Sequence, residues 1–296
     1  MVTQTLWRYR RGMSFTTLID TSTLSRHLDD PALVIVDCRF KLDDEDWGAR
    51  EYAAAHIPGS VYASLDRDLS GAKTGANGRH PLPEPSALIR TFEHLGIGGG
   101  TQVVAYDQEA GMYASRLWWL LRWMGHLDVA VLEGGFGKWV AEGRPTAAGS
   151  EVSPALPSRR FEGAPRADMT TDTAAVARLL DHPGWRLLDA RAPERYNGEV
   201  ETVDRVAGHI PGAVNHFFKT NLDEEGKFLT PEELRKRLRH SMAGVEPERV
   251  VCYCGSGVTA CHNLLALEHA GLPGAKLYVG SWSEWSSDPS RPIEPT

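Results

Sequence analysis

Three of the four cysteines in the 296-residue chain, Cys252, Cys254 and Cys261, crowd into one short stretch. Cys254 opens the segment Cys254-Gly255-Ser256-Gly257-Val258-Thr259, which lies between an apolar run, Val250-Val251-Cys252-Tyr253, and a helix-forming segment from Thr259 to Ala270. Glycines at 255 and 257 let the backbone turn tightly, so that successive amides point inward. Such a nest beside a helix N-terminus stabilises an anion at its centre, which makes a cysteine there a ready nucleophile. A persulfide anion built on that cysteine is held in the same way. Ser256 and Thr259 add hydroxyl donors. Cys252 alternates with its neighbours as in a strand and Cys261 falls within the helix, so both read as small packing groups, as does Cys38. Cys252-x-Cys254 is not a usual zinc spacing, and no second pair completes four ligands, so no metal is expected. No cofactor is implied either.

The elements that position this loop occur twice. Asp20-Thr21 through Arg39 corresponds to Asp172-Thr173 through Arg191 at an offset of 152 residues. His56-Ile57-Pro58-Gly59 recurs as His209-Ile210-Pro211-Gly212, and Gly134-Gly135-Phe136-Gly137-Lys138-Trp139 answers Gly280-Ser281-Trp282-Ser283-Glu284-Trp285. The order is kept throughout, which marks a tandem duplication and not a solenoid. Short apolar runs at 33–36, 103–106, 129–132, 185–188, 250–253 and 276–279 alternate with helical segments. That alternation predicts an α/β fold of two tandem domains, each a mainly parallel sheet flanked by helices, with ligands beyond the carboxyl ends of the strands. The expected boundaries are 13–147 for the first domain, 148–168 for a Pro-, Ser-, Ala- and Gly-rich linker, and 169–296 for the second. Aligning Val103-Val104 with Val250-Val251 sets Asp107 opposite Cys254, so the first half has no thiol in its loop.

Composition narrows the classes. The formal net charge is -7, with 42% hydrophobic and 24% charged residues. A nucleic-acid surface would need a basic stripe, and no apolar stretch is long enough to span a bilayer. Residues 1–15 carry Arg8, Arg10 and Arg11 but no apolar signal core, and Met13 offers a second start after a loose extension. Clustered cysteines in a chain long enough to fold without disulfides point to a reactive site in a reducing, cytoplasmic setting. Two halves that cover one another within one chain suit a monomer.

With these residues in view, the sequence resembles the rhodanese and 3-mercaptopyruvate sulfurtransferase family over nearly its whole length. Cys254 to Thr259 matches the family's Cys-x-x-Gly-x-Thr loop, and the His-Ile-Pro-Gly and Gly-Ser-Trp-Ser-Glu-Trp segments are further family marks. The resemblance implies two rhodanese-like domains, with catalysis by Cys254 in the second alone. A sulfane sulfur would pass from a small anionic donor, 3-mercaptopyruvate or thiosulfate, to a thiol, cyanide or thioredoxin-like acceptor. The loop residues Gly255, Gly257, Val258 and Thr259 would surround the donor, and the Cys-Gly-Ser-Gly-Val-Thr form tilts it towards 3-mercaptopyruvate. Arg195, in Glu194-Arg195-Tyr196, takes the place of a substrate-binding arginine; without the resemblance it reads as a solvated surface residue. Arg205 falls near a second such position, one residue out of register. Asp66 and His80 resemble partners of a loop serine, here Ser256, in a triad-like relay, with Asp68 the alternative to Asp66. His80, between Arg79 and Pro81, reads equally as a loop residue that bonds locally. Asp189, Arg191 and His209 are expected to brace loops, as Asp37, Arg39 and His56 do in the first half, and Trp282 and Trp285 to pack.

Two other functions fit part of the pattern. Cysteine-dependent phosphatases share this fold, but they close a longer loop with an arginine, where this chain has Thr259-Ala260-Cys261. A non-catalytic sulfur-carrier or redox module would pair Cys254 with Cys252 or Cys261 and would react once without turnover.

Overall fold

The structure, a computed structural model, describes residues 14–149, 159–180 and 182–294. The basic N-terminal segment and residues 150–158 of the expected linker lie outside the described residues. The first half runs β1 (Leu18–Ile19), α1 (Thr21–Ser25), β2 (Leu33–Asp37), α2 (Trp47–Ala54), β3 (Val61–Tyr62), α3 (Pro85–His94), β4 (Gln102–Tyr106), α4 (Ala114–Trp123), β5 (Val129–Leu132) and α5 (Gly135–Ala141). The second half repeats it as β6 (Thr170–Thr171), α6 (Thr173–Leu179), β7 (Arg186–Asp189), α7 (Pro193–Tyr196), β8 (Val214–Asn215), α8 (Pro231–Met242), β9 (Val250–Tyr253), α9 (Thr259–His269), β10 (Lys276–Tyr278) and α10 (Ser281–Trp285).

Each half holds one five-stranded, all-parallel sheet, ordered β1-β5-β4-β2-β3 and β6-β10-β9-β7-β8. The α/β architecture with two parallel sheets is therefore as the strand-helix alternation predicts. Parallel strands covered on both faces read as continuous apolar runs, and β4, β5 and β9 are buried almost throughout. Local chemistry starts the helices: the Asp20 and Asp172 side chains cap α1 and α6, accepting from the amides of Thr23 and Ala175. Thr230 and Glu233 form a capping box on α8.

Two helices join the halves. In α4 every residue but Arg122 is buried, and in α9 the run from Ala260 to Leu267 is buried. A helix apolar on all sides needs cover on all sides. Each lies between its own sheet and the other helix, so one hydrophobic core runs continuously from Val34 in the first half to Leu277 in the second. Arg122 reaches Glu268 across this seam at 3.1 Å. The described end of the expected linker is laid along the first half: the Phe161 ring lies tilted against Phe92 with centroids 4.9 Å apart, and the Arg166 amide donates to the Trp123 carbonyl.

The Asp-Arg braces expected for the loops occur in both copies. Arg39 grips Asp37 at 2.6 Å and donates to the Ala55 carbonyl, while Arg191 grips Asp189 at 2.7 Å and donates to the Gly208 carbonyl. Each guanidinium also covers an aromatic ring, Phe136 or Trp282. Both pairs are buried, and removing one partner of such a pair leaves a stranded charge that costs about 3–5 kcal/mol. Asp37→Ala should lower the free energy of urea unfolding by an amount in that range, about 3–5 kcal/mol; a loss below 1 kcal/mol, about the value of an exposed pair, would contradict this reading.

Candidate active site

Cys254 follows β9, the central strand of the second sheet, at its carboxyl end and is only 2% exposed. Its loop is pinned by the segment between β10 and α10. The Cys254 amide donates to Ser281 Oγ at 3.1 Å, and that hydroxyl donates to the Tyr278 carbonyl at 2.9 Å. The Cys254 and Gly255 carbonyls accept from the amides of Trp282 and Ser283, each at 2.9 Å. Gly257 has φ +76°, and a Cβ there would stand 2.5 Å from the Val279 carbonyl oxygen, so only glycine fits. Among the described residues, no protein acceptor takes the loop amides from Gly255 to Thr259.

The loop of the first half explains what those amides face. Tyr106 pairs with Asp37, and Tyr253 with Asp189, so strand register makes Asp107 the counterpart of Cys254. The Asp107 carboxylate accepts four amides: Glu109 at 3.0 Å and Gly111 at 3.1 Å on one oxygen, Tyr113 at 2.7 Å and Ala114 at 3.0 Å on the other. One copy of the duplicated loop thus holds an anion of its own. In the other copy a thiol takes that central position. The two copies also differ at the pin. Gly135 (φ +58°) is replaced by Ser281 (φ +53°), one of two non-glycine residues in the left-handed region among the described residues. A Cβ on Gly135 would lie 2.1 Å from the Glu109 carbonyl oxygen. The second copy has a loop two residues shorter, 255–258 against 108–113, and accommodates the serine whose hydroxyl holds the Cys254 amide.

The first half supplies the other side of the site. His80 Nδ1 lies 2.7 Å from Ser256 Oγ, and His80 Nε2 faces Asp66 Oδ1 at 3.5 Å. A carboxylate only accepts, so Nε2 carries the proton and Nδ1 accepts from the Ser256 hydroxyl. Burial, opposed by the Asp66 charge, pushes the His80 imidazole down to about 3 and keeps it neutral. Asp66 also takes Lys73 at 2.9 Å, whereas Asp68 turns away to the Ser64 amide. Arg116, in α4, is fully buried and donates to the carbonyls of both His80 and Gly257, each at 3.1 Å. One guanidinium therefore ties together the two segments that carry His80 and Ser256.

The structure brings Cys254, Ser256, His80, Asp66, Gly255, Gly257 and Val258 into one place, with Thr259 opening α9. Arg195 stands over Gly255, gripped by Glu201 at 2.9 Å and Asp204 at 2.8 Å. Arg205 is exposed. Cys252, Cys261 and Cys38 are buried thiols; burial pushes Cys261 up to about 12 and raises Cys252 and Cys38 as well. Sequence reasoning missed Arg79, Asp204, Arg116 and Ser281. Two signals were available: Arg116 is a charge inside an apolar helical run, and Ser281 replaces a glycine in the aligned repeat.

Two sheets built alike, with one thiol in a glycine-rich loop whose Ser256 hydroxyl meets a neutral His80 from the other half, define a duplicated α/β protein with a single thiol at one of its two matching loops. The chain belongs to the rhodanese family: the Rhodanese-like domain matches residues 20–142 and again 172–288. It is 46% identical, over 95% of its length and 99% of the relative's, to a Pseudomonas aeruginosa protein named "Probable 3-mercaptopyruvate sulfurtransferase". It is 33% identical to a thiosulfate sulfurtransferase of Rattus norvegicus, covering 86% of this chain and 85% of that one. The solved structure of 3-mercaptopyruvate sulfurtransferase from Leishmania major superposes with a TM-score of 0.79 at 32% identity, covering 92% of this chain and 74% of that one.

Ser281 and His80 each carry a prediction. Ser281→Ala and Ser281→Gly both remove the hydroxyl that holds the Cys254 amide, so both should lower turnover alike. Ser281→Gly should be about 1–2 kcal/mol more stable than Ser281→Ala, because a side chain in the left-handed region is strained; equal urea midpoints would refute the strain. His80 is depressed in the folded state, so its contribution to stability is complete above pH ~6.5 and is lost as pH falls towards about 3. Between pH 7 and pH 5, His80→Gln should therefore lose on the order of 1–2 kcal/mol less stability than the parent in urea unfolding. An identical loss would show that His80 titrates normally.

Proposed function

We propose that Cys254 carries the transferred sulfur as a persulfide in a sulfurtransferase reaction. Membership of the rhodanese family, with relatives named for both 3-mercaptopyruvate and thiosulfate, supports the sulfurtransferase activity. The observation that carries the persulfide is the amide nest: its twin is filled by the Asp107 carboxylate, and Cys254 stands where that anion stands. A thiolate or a persulfide anion fits the same donors.

The first half-reaction balances in two forms. The Cys254 thiolate attacks the outer sulfur of thiosulfate, the sulfur–sulfur bond breaks, and sulfite leaves with the bonding pair; no proton moves. With 3-mercaptopyruvate the carbon–sulfur bond breaks instead and the enolate of pyruvate leaves. The proton on the donor's sulfur must then reach the methylene carbon. Ser256 and His80 are suited to take that proton and return it, since the neutral Nδ1 of His80 accepts through the serine hydroxyl. A relay of this kind is useful only for the second donor, which favours 3-mercaptopyruvate. A thiol, cyanide or a reduced thioredoxin-like protein then removes the outer sulfur and restores the thiolate, giving ping-pong kinetics.

Incubation with donor alone should add one sulfur atom to the protein, and Cys254→Ser should lose both the mass increase and turnover. Unchanged activity in that variant, or efficient hydrolysis of an aryl phosphate, would overturn the reading. Ser256→Ala should reduce kcat for 3-mercaptopyruvate by about 100-fold while changing thiosulfate turnover by less than about threefold; equal losses on both donors would remove the relay.

A further inference from the structure

Beside the nucleophile lies a pair of guanidiniums that share one carboxylate. A Cβ placed on Gly255 would stand 2.7 Å from an Nη of Arg79 and 3.6 and 3.7 Å from the two Nη atoms of Arg195. Both arginines therefore overhang the residue next to Cys254, one from each half of the chain. Both hold Asp204: Arg79 takes Oδ1, and Arg195 takes Oδ2 at 2.8 Å. The Asp204 side chain is 4% exposed, yet its neighbours Thr202, Val203, Arg205, Val206 and Ala207 are all exposed. It rides on a turn outside both sheets, tied by the amides of Val203 and Asp204 to Glu201 Oε1 at 2.9 and 2.8 Å.

We propose that Arg79 and Arg195 form the clamp for the donor's carboxylate or sulfonate, and that Asp204 is a resident carboxylate that occupies this clamp and is displaced when the donor binds. The proposal rests on the reading of Cys254 as the acceptor of sulfur from a small anion. Three observations carry it. A carboxylate is already seated between the two guanidiniums, so the site's own geometry selects that group. Arg195 keeps a second carboxylate, Glu201, at 2.9 Å, and so stays oriented when Asp204 leaves; among the described residues Asp204 is the one carboxylate that Arg79 holds. Charge closes the argument. Arg79 and Arg195 are neutralised by Glu201 and Asp204, so an arriving anion leaves an uncompensated charge unless one carboxylate departs. Burial pushes the Asp204 carboxyl up despite its two arginines, which marks it as the one held less comfortably. The second arm of the clamp thus comes from the inert half, through the residue that precedes His80, and not from Arg205.

The test uses two variants that break the same ion pair from opposite ends. KM for 3-mercaptopyruvate is measured with cyanide as acceptor, and the folded state of each variant is checked by thermal unfolding. Asp204→Asn should lower KM by about three- to tenfold, and Arg79→Gln should raise it by about tenfold or more, with smaller changes in kcat. Arg205→Gln should raise KM less than Arg79→Gln does. A purely structural pair would move KM in the same direction from either end, and that result would overturn the proposal. A second readout does not depend on turnover: protection of Cys254 from iodoacetamide by pyruvate should tighten in Asp204→Asn and weaken in Arg79→Gln. If the parent protein turns over neither donor, the sulfurtransferase reading fails by itself, and the protection assay still decides the clamp: unchanged protection in both variants would sink it.

Discussion

Everything at the active site depends on the packing of α4 against α9. Both helices are apolar around nearly their whole circumference, so neither can face water once its own sheet is covered. Pairing them buries that surface and makes the two halves a single hydrophobic unit. The same packing sets the register between the Cys254 loop and the segment around His80. Arg116 makes this concrete, because one buried guanidinium bonds the carbonyls of His80 and Gly257. A shift of the halves by an ångström would break the 2.7 Å contact between Ser256 and His80.

Duplication then accounts for the division of labour. Both copies build the same strand, the same amide nest and the same Asp-Arg brace. Besides the shorter second loop, they diverge at two points. The first copy fills its nest with the Asp107 carboxylate and closes it with Gly135; the second leaves the centre to a sulfur and closes it with a strained serine. Ser281, in the left-handed region, accepts the Cys254 amide on its hydroxyl. The first copy brings His80, Asp66, Arg79 and Arg116 up to the Cys254 loop, so neither half alone contains the full set.

The electrostatics of the site follow from burial. His80 is held neutral, Arg116 has no carboxylate partner among the described residues, and Arg79 and Arg195 share Asp204. Such an arrangement suits chemistry in which a small anion arrives, a sulfur anion forms in the nest and a proton is moved only when the donor requires it.

Much of this was legible from the chain alone. The strands at 33–37, 102–106, 129–132 and 250–253 are written as apolar runs, the caps at Asp20 and Asp172 are local, and Cys254 stands out because glycines at 255 and 257 fit a single kind of turn. These signals are contained within a few neighbouring residues. The contacts of Arg79, Asp204, Arg116 and Ser281 beside the Cys254 loop were not legible. Their roles depend on contacts across 125, 141 or 27 residues of chain, and no local pattern encodes which distant partner a side chain meets. The sequence alone determined the duplication and the fold class and singled out Cys254 as the candidate nucleophile, because each follows from periodicity and turn chemistry. Only the tertiary structure decided which charges face the sulfur, because that follows from how two apolar helices pack.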